Sequence, residues 1–208
     1  MIKTILFDID GVLIDSFEAN LRFIQALFVK GGYPPPNREE YVPLFQMPMM
    51  DVIKTVTTSE KEIERMMQIG KENRADMYSY DLITTSEHME EILKHLHASY
   101  TLGIVTSRLK KFIFDIKQLQ TVEKYFDIVV SFEDTEKHKP NPDPLLHAIN
   151  QLKILPEETI YIGDQQADFL AARAAGTKII MLTEKSFPNA DACISSFEDI
   201  PNAILKVA

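Results

Sequence analysis

Ile5-Leu6-Phe7-Asp8-Ile9-Asp10-Gly11-Val12-Leu13-Ile14-Asp15-Ser16 is the stretch on which the fold turns. Thr4 to Phe7 are apolar or β-branched, the composition of a buried strand. Asp8 interrupts the run where that strand ends. In extended chain, residues i and i+2 share a side, so Asp8 and Asp10 face one way and Ile9 the other. Gly11 lets the chain bend sharply or approach a ligand closely. Neighbouring carboxylates repel one another unless a cation lies beside them, and hard oxygen donors suit Mg²⁺. Taken alone, Asp-x-Asp-Gly reads equally well as two solvated turn aspartates. An EF-hand loop fits poorly, because its glycine comes at the sixth loop position and a helix precedes it.

Working outward, Asp15 is placed as the cap of a helix with Glu18 at its third position. Phe17, Leu21, Ile24 and Phe28 give that helix an apolar stripe, which stops at Gly31-Gly32. Tyr33-Pro34-Pro35-Pro36 is a stiff connector, and Asn37 caps a short helix running to about Phe45. Ser59 and Glu62 form a capping box, and Ile63, Met66, Met67 and Gly70 continue one face of a long helix towards Tyr80. No strand signal falls between Ser16 and Tyr80.

Beyond that the rhythm changes. Strand patterns over 100–106, 127–131, 159–163, 178–182 and 192–194 alternate with helical patterns over 87–97, 110–125, 142–152, 165–175 and from 197 onward. Such alternation predicts βαβ units and a parallel sheet. The fold class is therefore α/β: a Rossmann-like parallel-sheet core from residues 1–15 and 82–208, with an all-helical domain, 16–81, inserted after the first strand.

The 208 residues are 45% hydrophobic, enough for a core, and carry a formal charge of -9. That charge argues against nucleic acid and against an anionic membrane surface. No run of about 18 apolar residues is present, and acids enter too early for a signal peptide. The single cysteine, Cys193, excludes an intramolecular disulfide; it is expected to be a small buried residue in a reducing, cytoplasmic setting. His95 and His97 diverge on their helix and cannot pair on a metal. His88 and His147 read as exposed, and His138 alone stands near a candidate site. Met47, Met49, Met50, Met66 and Met67 are expected to pack the helical insert. Nothing in the pattern sets an oligomeric state.

In open α/β sheets, ligands bind outside the carboxyl ends of the strands. Three predicted strands deliver polar groups there: Asp8, Thr106-Ser107 and Gly163-Asp164. With Lys139-Pro140 between them and Asp168 after them, these come in the order and spacing of four motifs, Asp8-x-Asp10-Gly11, Thr106-Ser107, Lys139-Pro140 and Gly163-Asp164-x-x-x-Asp168. That set resembles the haloacid dehalogenase-like phosphohydrolases and covers nearly the whole chain. The helical insert is similar to the cap of their first subclass.

The resemblance implies Asp8 as nucleophile, forming an aspartyl-phosphate, and Asp10 as general acid and then base. It implies Mg²⁺ held by Asp8, the Asp10 backbone carbonyl and Asp164, with Asp168 orienting the groups around it. Thr106, Ser107 and Lys139 would bind the phosphoryl group. Read without the family, Thr106-Ser107 is an ordinary turn, Lys139 a solvated lysine, and Asp164 with Asp168 a helix-start pair. Arg108 is either a contact for a substrate anion or a surface residue. The implied cap would hinge near 12–16 and 81–85 and close over the site.

The implied substrate is a small phosphorylated metabolite, as for phosphoglycolate phosphatases or cytosolic pyrophosphatases. A β-phosphoglucomutase-like isomerase is the alternative, although Asn20 stands where that group has a histidine, and its basic cap residue near Met47 is missing. A catalytically idle binding module is the third possibility. The cap-loop glycine common in the family is absent from Phe45-Gln46-Met47-Pro48-Met49, so no cap residue is assigned to specificity.

Overall fold

The computed structural model describes residues 1–45 and 47–208. Six strands form one sheet: β1 Thr4–Phe7, β2 Thr101–Val105, β3 Ile128–Val130, β4 Thr159–Gly163, β5 Lys178–Leu182 and β6 Ala192–Ile194. Their order is β3-β2-β1-β4-β5-β6, and every pairing is parallel. The α-helices are α1 Phe17–Gly31, α2 Arg38–Tyr41, α3 Met49–Lys54, α4 Glu60–Glu72, α5 Arg74–Met77, α6 Met89–His97, α7 Lys117–Gln120, α8 Asp143–Leu152, α9 Gln166–Ala175 and α10 Ile200–Val207. The chain divides into two compact units, one of Met1–Asp15 with Thr85–Ala208 and one of Ser16–Thr84.

In the sheet-containing unit β1 is central, because β2 and β4 pair on either side of it. Residues of alternate parity bury opposite faces. Leu6, Val105, Tyr161, Ile179 and Met181 pack with Ala148 of α8 and Ala171 and Ala172 of α9. The residues between them, among them Ile5, Phe7, Ile104, Ile160, Ile162 and Ile180, are also fully buried. On the second face α6 packs on β2, and α10 on β5 and β6. Coverage on both sides explains why the strands read as continuous apolar runs rather than alternating ones.

Two expectations in this unit fail. The helix expected over 110–125 is instead two 3-10 turns, Lys110–Phe112 and Glu123–Tyr125, flanking the one-turn α7. Ile113, Ile116, Leu119 and Val122 are all fully buried. Leu119 lies in α7 and the other three at the junctions between the short elements, so the spacing of three runs from turn to turn rather than along one helix. Cys193 is exposed rather than buried, because it lies on the edge strand β6, which has a neighbour on one side only.

In the helical unit α1 packs on α4 and α5, and α3 on α4. Asn37 and Glu40 form the reciprocal capping box that opens α2. The other two predicted caps are not made. Ser16, not Asp15, takes the N-cap position of α1, and its hydroxyl accepts from Asn20 Nδ2 at 3.0 Å. Glu18 pairs with Arg38 instead. Ser59 sits at the N-cap of α4 without a side-chain bond, and Glu62 is drawn into an ion pair with Arg65 at 2.8 Å. The long helix breaks at Asn73, whose amide turns back to Ile69 O at 2.9 Å. Of the methionines expected to pack, Met66 is buried, whereas Met47, Met50 and Met67 are exposed. Only Met66 and Gly70, one turn apart, are buried on α4, so Met67 falls outside that narrow stripe. Gln46 of the 45–49 stretch lies outside the described residues.

Candidate active site

The site grows from the carboxyl end of β1. Asp8 N–H donates to Ile162 O at 2.9 Å, which extends the β1–β4 ladder by one residue and fixes the Asp8 backbone. Its side chain faces the α8–α9 side of the sheet, the parity of Leu6, and Asp8 is only 6% exposed. Lys139 reaches it from the loop before α8. The ammonium donates to Asp8 Oδ1 at 3.0 Å, to Asp168 Oδ1 at 2.7 Å and to the Tyr161 hydroxyl at 2.9 Å. A lysine has three N–H donors, and all three are used.

Asp168 is buried and saturated. Oδ1 accepts from Lys139 and lies 3.0 Å from the Tyr161 hydroxyl. Oδ2 accepts from the backbone N–H of Asp164 at 3.2 Å and of Gln165 at 3.1 Å. It therefore closes the capping box of α9 while holding the lysine that faces Asp8.

Asp164 completes this end of the rim. One oxygen each of Asp8, Asp164 and Asp168 lie within 4.8 Å of one another. Asp164 Oδ1 is buried without a hydrogen-bond partner, a costly state for a carboxylate oxygen unless something binds it. A Cβ at position 11 would come within 2.2 Å of Asp164 Oδ2, and Gly11 has φ +81°. Glycine is thus required twice, for the turn and for the carboxylate lying against the backbone beyond Asp10.

The electrostatics point the same way. Burial, aided by Asp168 and Asp10 and opposed by Lys139, pushes the Asp8 carboxyl up to about 7 from 3.8. Burial, with Asp8 and Asp168 beside it, pushes Asp164 up to about 8. Burial alone would lower the Lys139 ammonium, but Asp168 and Asp8 outweigh it and hold its pKa above the ordinary lysine value. One ammonium does not compensate this cluster. All-oxygen donors, an unpartnered buried oxygen and surplus negative charge together fit a hard dication. With Asp168 already saturated, Asp8 and Asp164 are the side chains left to hold one.

Asp10 is held from just beyond the end of β2. Arg108 Nε donates to its Oδ2 and Nη2 to its Oδ1, both at 2.6 Å, a bidentate pair. Thr106, at the end of β2, is buried, and its hydroxyl oxygen accepts from Arg108 N–H at 3.2 Å. Ser107 follows and is exposed. All seven residues singled out in the sequence therefore sit at the carboxyl ends of β1, β2 and β4 or on the loop and helix beside them.

A family model described as haloacid dehalogenase-like hydrolase matches residues 5–182. The chain belongs to the haloacid dehalogenase-like hydrolases. Within that family it is a phosphatase-type enzyme. It is 32% identical over 180 residues to the pyrophosphatase PpaX of Bacillus cereus, covering 85% of this chain and 81% of that one. It is also 32% identical over 179 residues to the pyrophosphatase PpaX of Halalkalibacterium halodurans, with 85% and 81% covered. A solved haloacid dehalogenase-superfamily hydrolase of subfamily IA from Geobacter sulfurreducens superposes with a TM-score of 0.76 at 28% identity, covering 97% of this chain and 95% of that one. No helix among the described residues is long and apolar enough to cross a membrane.

In this haloacid dehalogenase-like hydrolase two further residues belong to the site. Arg108, left open between anion contact and surface residue, has a side chain only 9% exposed and grips Asp10. In the sequence Tyr161 is only one residue of the 159–163 strand pattern. Its hydroxyl accepts from Lys139 and can donate to Asp168 Oδ1 or to Val105 O at 3.1 Å. Register held a signal for it: Tyr161 pairs with Leu6, which shares the parity of Asp8. His138 stacks on Phe132, with ring centroids 3.7 Å apart, beside Lys139. His88 is exposed at the start of α6, and His147 pairs with Gln151 on α8.

Proposed function

We propose that the enzyme is a Mg²⁺-dependent phosphohydrolase of small phosphate esters or pyrophosphate, working through an aspartyl-phosphate on Asp8. The observation that carries this is the pairing, at one strand end, of a buried carboxylate facing a lysine with a second carboxylate whose inner oxygen has no partner. Asp8, the Asp10 carbonyl and Asp164 would hold the ion, which supplies charge neutralisation for the phosphoryl group.

An Asp8 oxygen attacks phosphorus as the bond to the leaving oxygen breaks, and Asp10 gives that oxygen its proton. Water then attacks the phosphorus, yields a proton to Asp10 and expels the Asp8 carboxylate, and free phosphate leaves. Lys139 keeps Asp8 oriented and offsets the charge of the incoming group. Thr106 and Ser107, on the neighbouring strand end, offer hydroxyl and backbone donors to the phosphoryl oxygens. Asp168 and Tyr161 position Lys139. The Ser16–Thr84 unit would act as the cap. The isomerase alternative is less well supported, because Asn20 holds the position of that group's histidine and is bound back to Ser16.

The test is phosphate release from a panel of phosphoesters and pyrophosphate, with Mg²⁺ or EDTA, for wild type and Asp8→Asn. Release that needs both Mg²⁺ and Asp8 is expected, and the best substrate names the subgroup. Absence of Asp8-dependent release from every compound would overturn the reading, and isomerisation of a sugar phosphate would replace it.

A further inference from the structure

Arg108 raises a question that the phosphohydrolase mechanism does not answer. Both Asp10 oxygens accept charged hydrogen bonds from one guanidinium, through Nε and Nη2. The third nitrogen, Nη1, faces Phe112 O at 3.4 Å. An arginine stays charged throughout. A carboxylate gripped at both oxygens can neither carry a proton for a leaving group nor take one from water without losing at least one of those bonds. For Asp10 to work, the fork must let go, and the guanidinium is then able to take an anion of the substrate in its place.

The rim around it is suited to supply that need from a substrate. Arg108, Lys110 and Lys111 place three cations within four residues just past β2, in a chain whose formal charge is -9. Lys110 and Lys111 are exposed. The chain here is anchored on the sheet side, since Phe132 N–H donates to Arg108 O at 2.9 Å and Arg108 N–H to the Thr106 hydroxyl at 3.2 Å. The guanidinium therefore grips the acid–base carboxylate from the residue next to the proposed phosphoryl-binding pair Thr106-Ser107, and an exposed basic segment follows it in the chain.

We propose that Arg108 is the specificity-determining residue of this site: it exchanges its bidentate hold on Asp10 for a second anionic group on the substrate, so that substrates carrying such a group release the acid–base residue and are turned over preferentially. The substrate class is a phosphoryl group whose leaving group bears its own negative charge, a second phosphate or a carboxylate. A neutral leaving group offers the guanidinium nothing in exchange, and Asp10 stays clamped. The exchange balances charge at every stage, one anion replacing another on the same fork. This role rests on the phosphohydrolase reading of the same site.

The experiment compares kcat/KM for pyrophosphate and phosphoglycolate with that for hydroxyethyl phosphate, which replaces the carboxylate of phosphoglycolate by an alcohol at nearly equal size. Wild type, Arg108→Gln and Arg108→Lys are assayed beside Asp8→Asn, each checked for an unchanged melting transition. Wild type is expected to favour the two anionic-leaving-group substrates. Arg108→Gln is expected to cut that preference by about tenfold to a hundredfold, the worth of a lost charge-assisted pair. Arg108→Lys, which keeps charge without the fork, falls between.

Loss by the same factor on all three substrates, or no loss, overturns the exchange. A measurement on wild type alone gives an independent check if the variants fold poorly: methylenediphosphonate is expected to bind at least about tenfold tighter than methylphosphonate, and equal affinity overturns the proposal. Asp8-dependent release without any charge preference sinks the role of Arg108 alone. Absence of Asp8-dependent release sinks the underlying mechanism instead.

Discussion

Asp8 and Asp10 leave one strand end two residues apart and meet different surroundings. Asp8 is buried against a lysine that divides three bonds among Asp8, Asp168 and Tyr161. Asp10 keeps a side chain 26% exposed, and each of its oxygens accepts from the same arginine. The cations suit these tasks. A lysine is a compact charge with separate donors and can balance several acceptors at once, whereas the guanidinium fork commits to one carboxylate at a time. The Asp8 end is therefore a fixed network, in which each group holds another. The Asp10 end is built on one bidentate pair, which the proposed exchange would open.

The widest separation of the two ends comes from Asp8→Asn. An isosteric amide removes the nucleophile and keeps the shape, so turnover should fall by about four orders of magnitude or more. Stability in the absence of metal should hold or rise, because a charge pushed up to about 7 by burial is gone. Denaturant unfolding beside single-turnover phosphate release would show it. A variant that keeps even a hundredth of wild-type activity would remove Asp8 from the chemistry.

Lys139→Met attacks the network from its centre. It leaves Asp8 and Asp168 buried without their shared counter-ion, a loss of about 3–5 kcal/mol on the scale of broken buried ion pairs. Arg108→Gln should cost clearly less in urea unfolding, because Asp10 reaches solvent. Equal losses from the two would erase the distinction between a fixed and an exchangeable end.

Acidity gives a third contrast, and its sign is opposite to that of ordinary surface carboxylates. Asp8 and Asp164 stand at about 7 and about 8 in the folded, metal-free protein against 3.8 for the ordinary value. Between about pH 4 and pH 8 the folded state thus holds protons that the unfolded chain has released. Metal-free stability should fall as pH rises through that window, by at most about 1.4 kcal/mol per pH unit for each group. Saturating Mg²⁺ should flatten the slope, since the ion replaces the protons. A melting temperature that rises from pH 5 to pH 8 without metal would contradict both raised carboxyls.

These contrasts also mark what the sequence made legible. Asp8, Asp10, Lys139, Asp164 and Asp168 were visible because motif order placed them at strand ends, and a parallel sheet delivers strand ends to one rim. The strands themselves were visible as short apolar runs between helical stretches. Arg108 and Tyr161 were harder to find, since their meaning depends on which side chain they meet across the sheet, and position along the chain does not state that. The same limit applies to the helices. Ser59 and Glu62 have the spacing of a capping box, yet Arg65, a competing partner one turn on, takes the glutamate. The 110–125 segment buries Ile113, Ile116, Leu119 and Val122 at a spacing that a helix would also give, yet it is built of two 3-10 turns flanking the one-turn α7.

The smallest expected effect is the one that best tests whether the two ends are independent. Tyr161→Phe removes only the hydroxyl that accepts from Lys139 and faces Asp168 and Val105 O. One lysine N–H and one carbonyl then lie buried without it, at a cost of about 1–3 kcal/mol. Every one of those contacts belongs to the Asp8 end. Combined with Arg108→Gln, Tyr161→Phe should therefore be additive in stability to within about 0.5 kcal/mol, as for separate sites. Combined with Lys139→Met it should fall well short of additive, because the first substitution has already removed the donor that the hydroxyl serves. A double-mutant cycle in urea separates the cases. Strong coupling between Tyr161 and Arg108 would mean that Asp8 and Asp10 share one network after all, and that the arginine could not change partners without loosening the nucleophile.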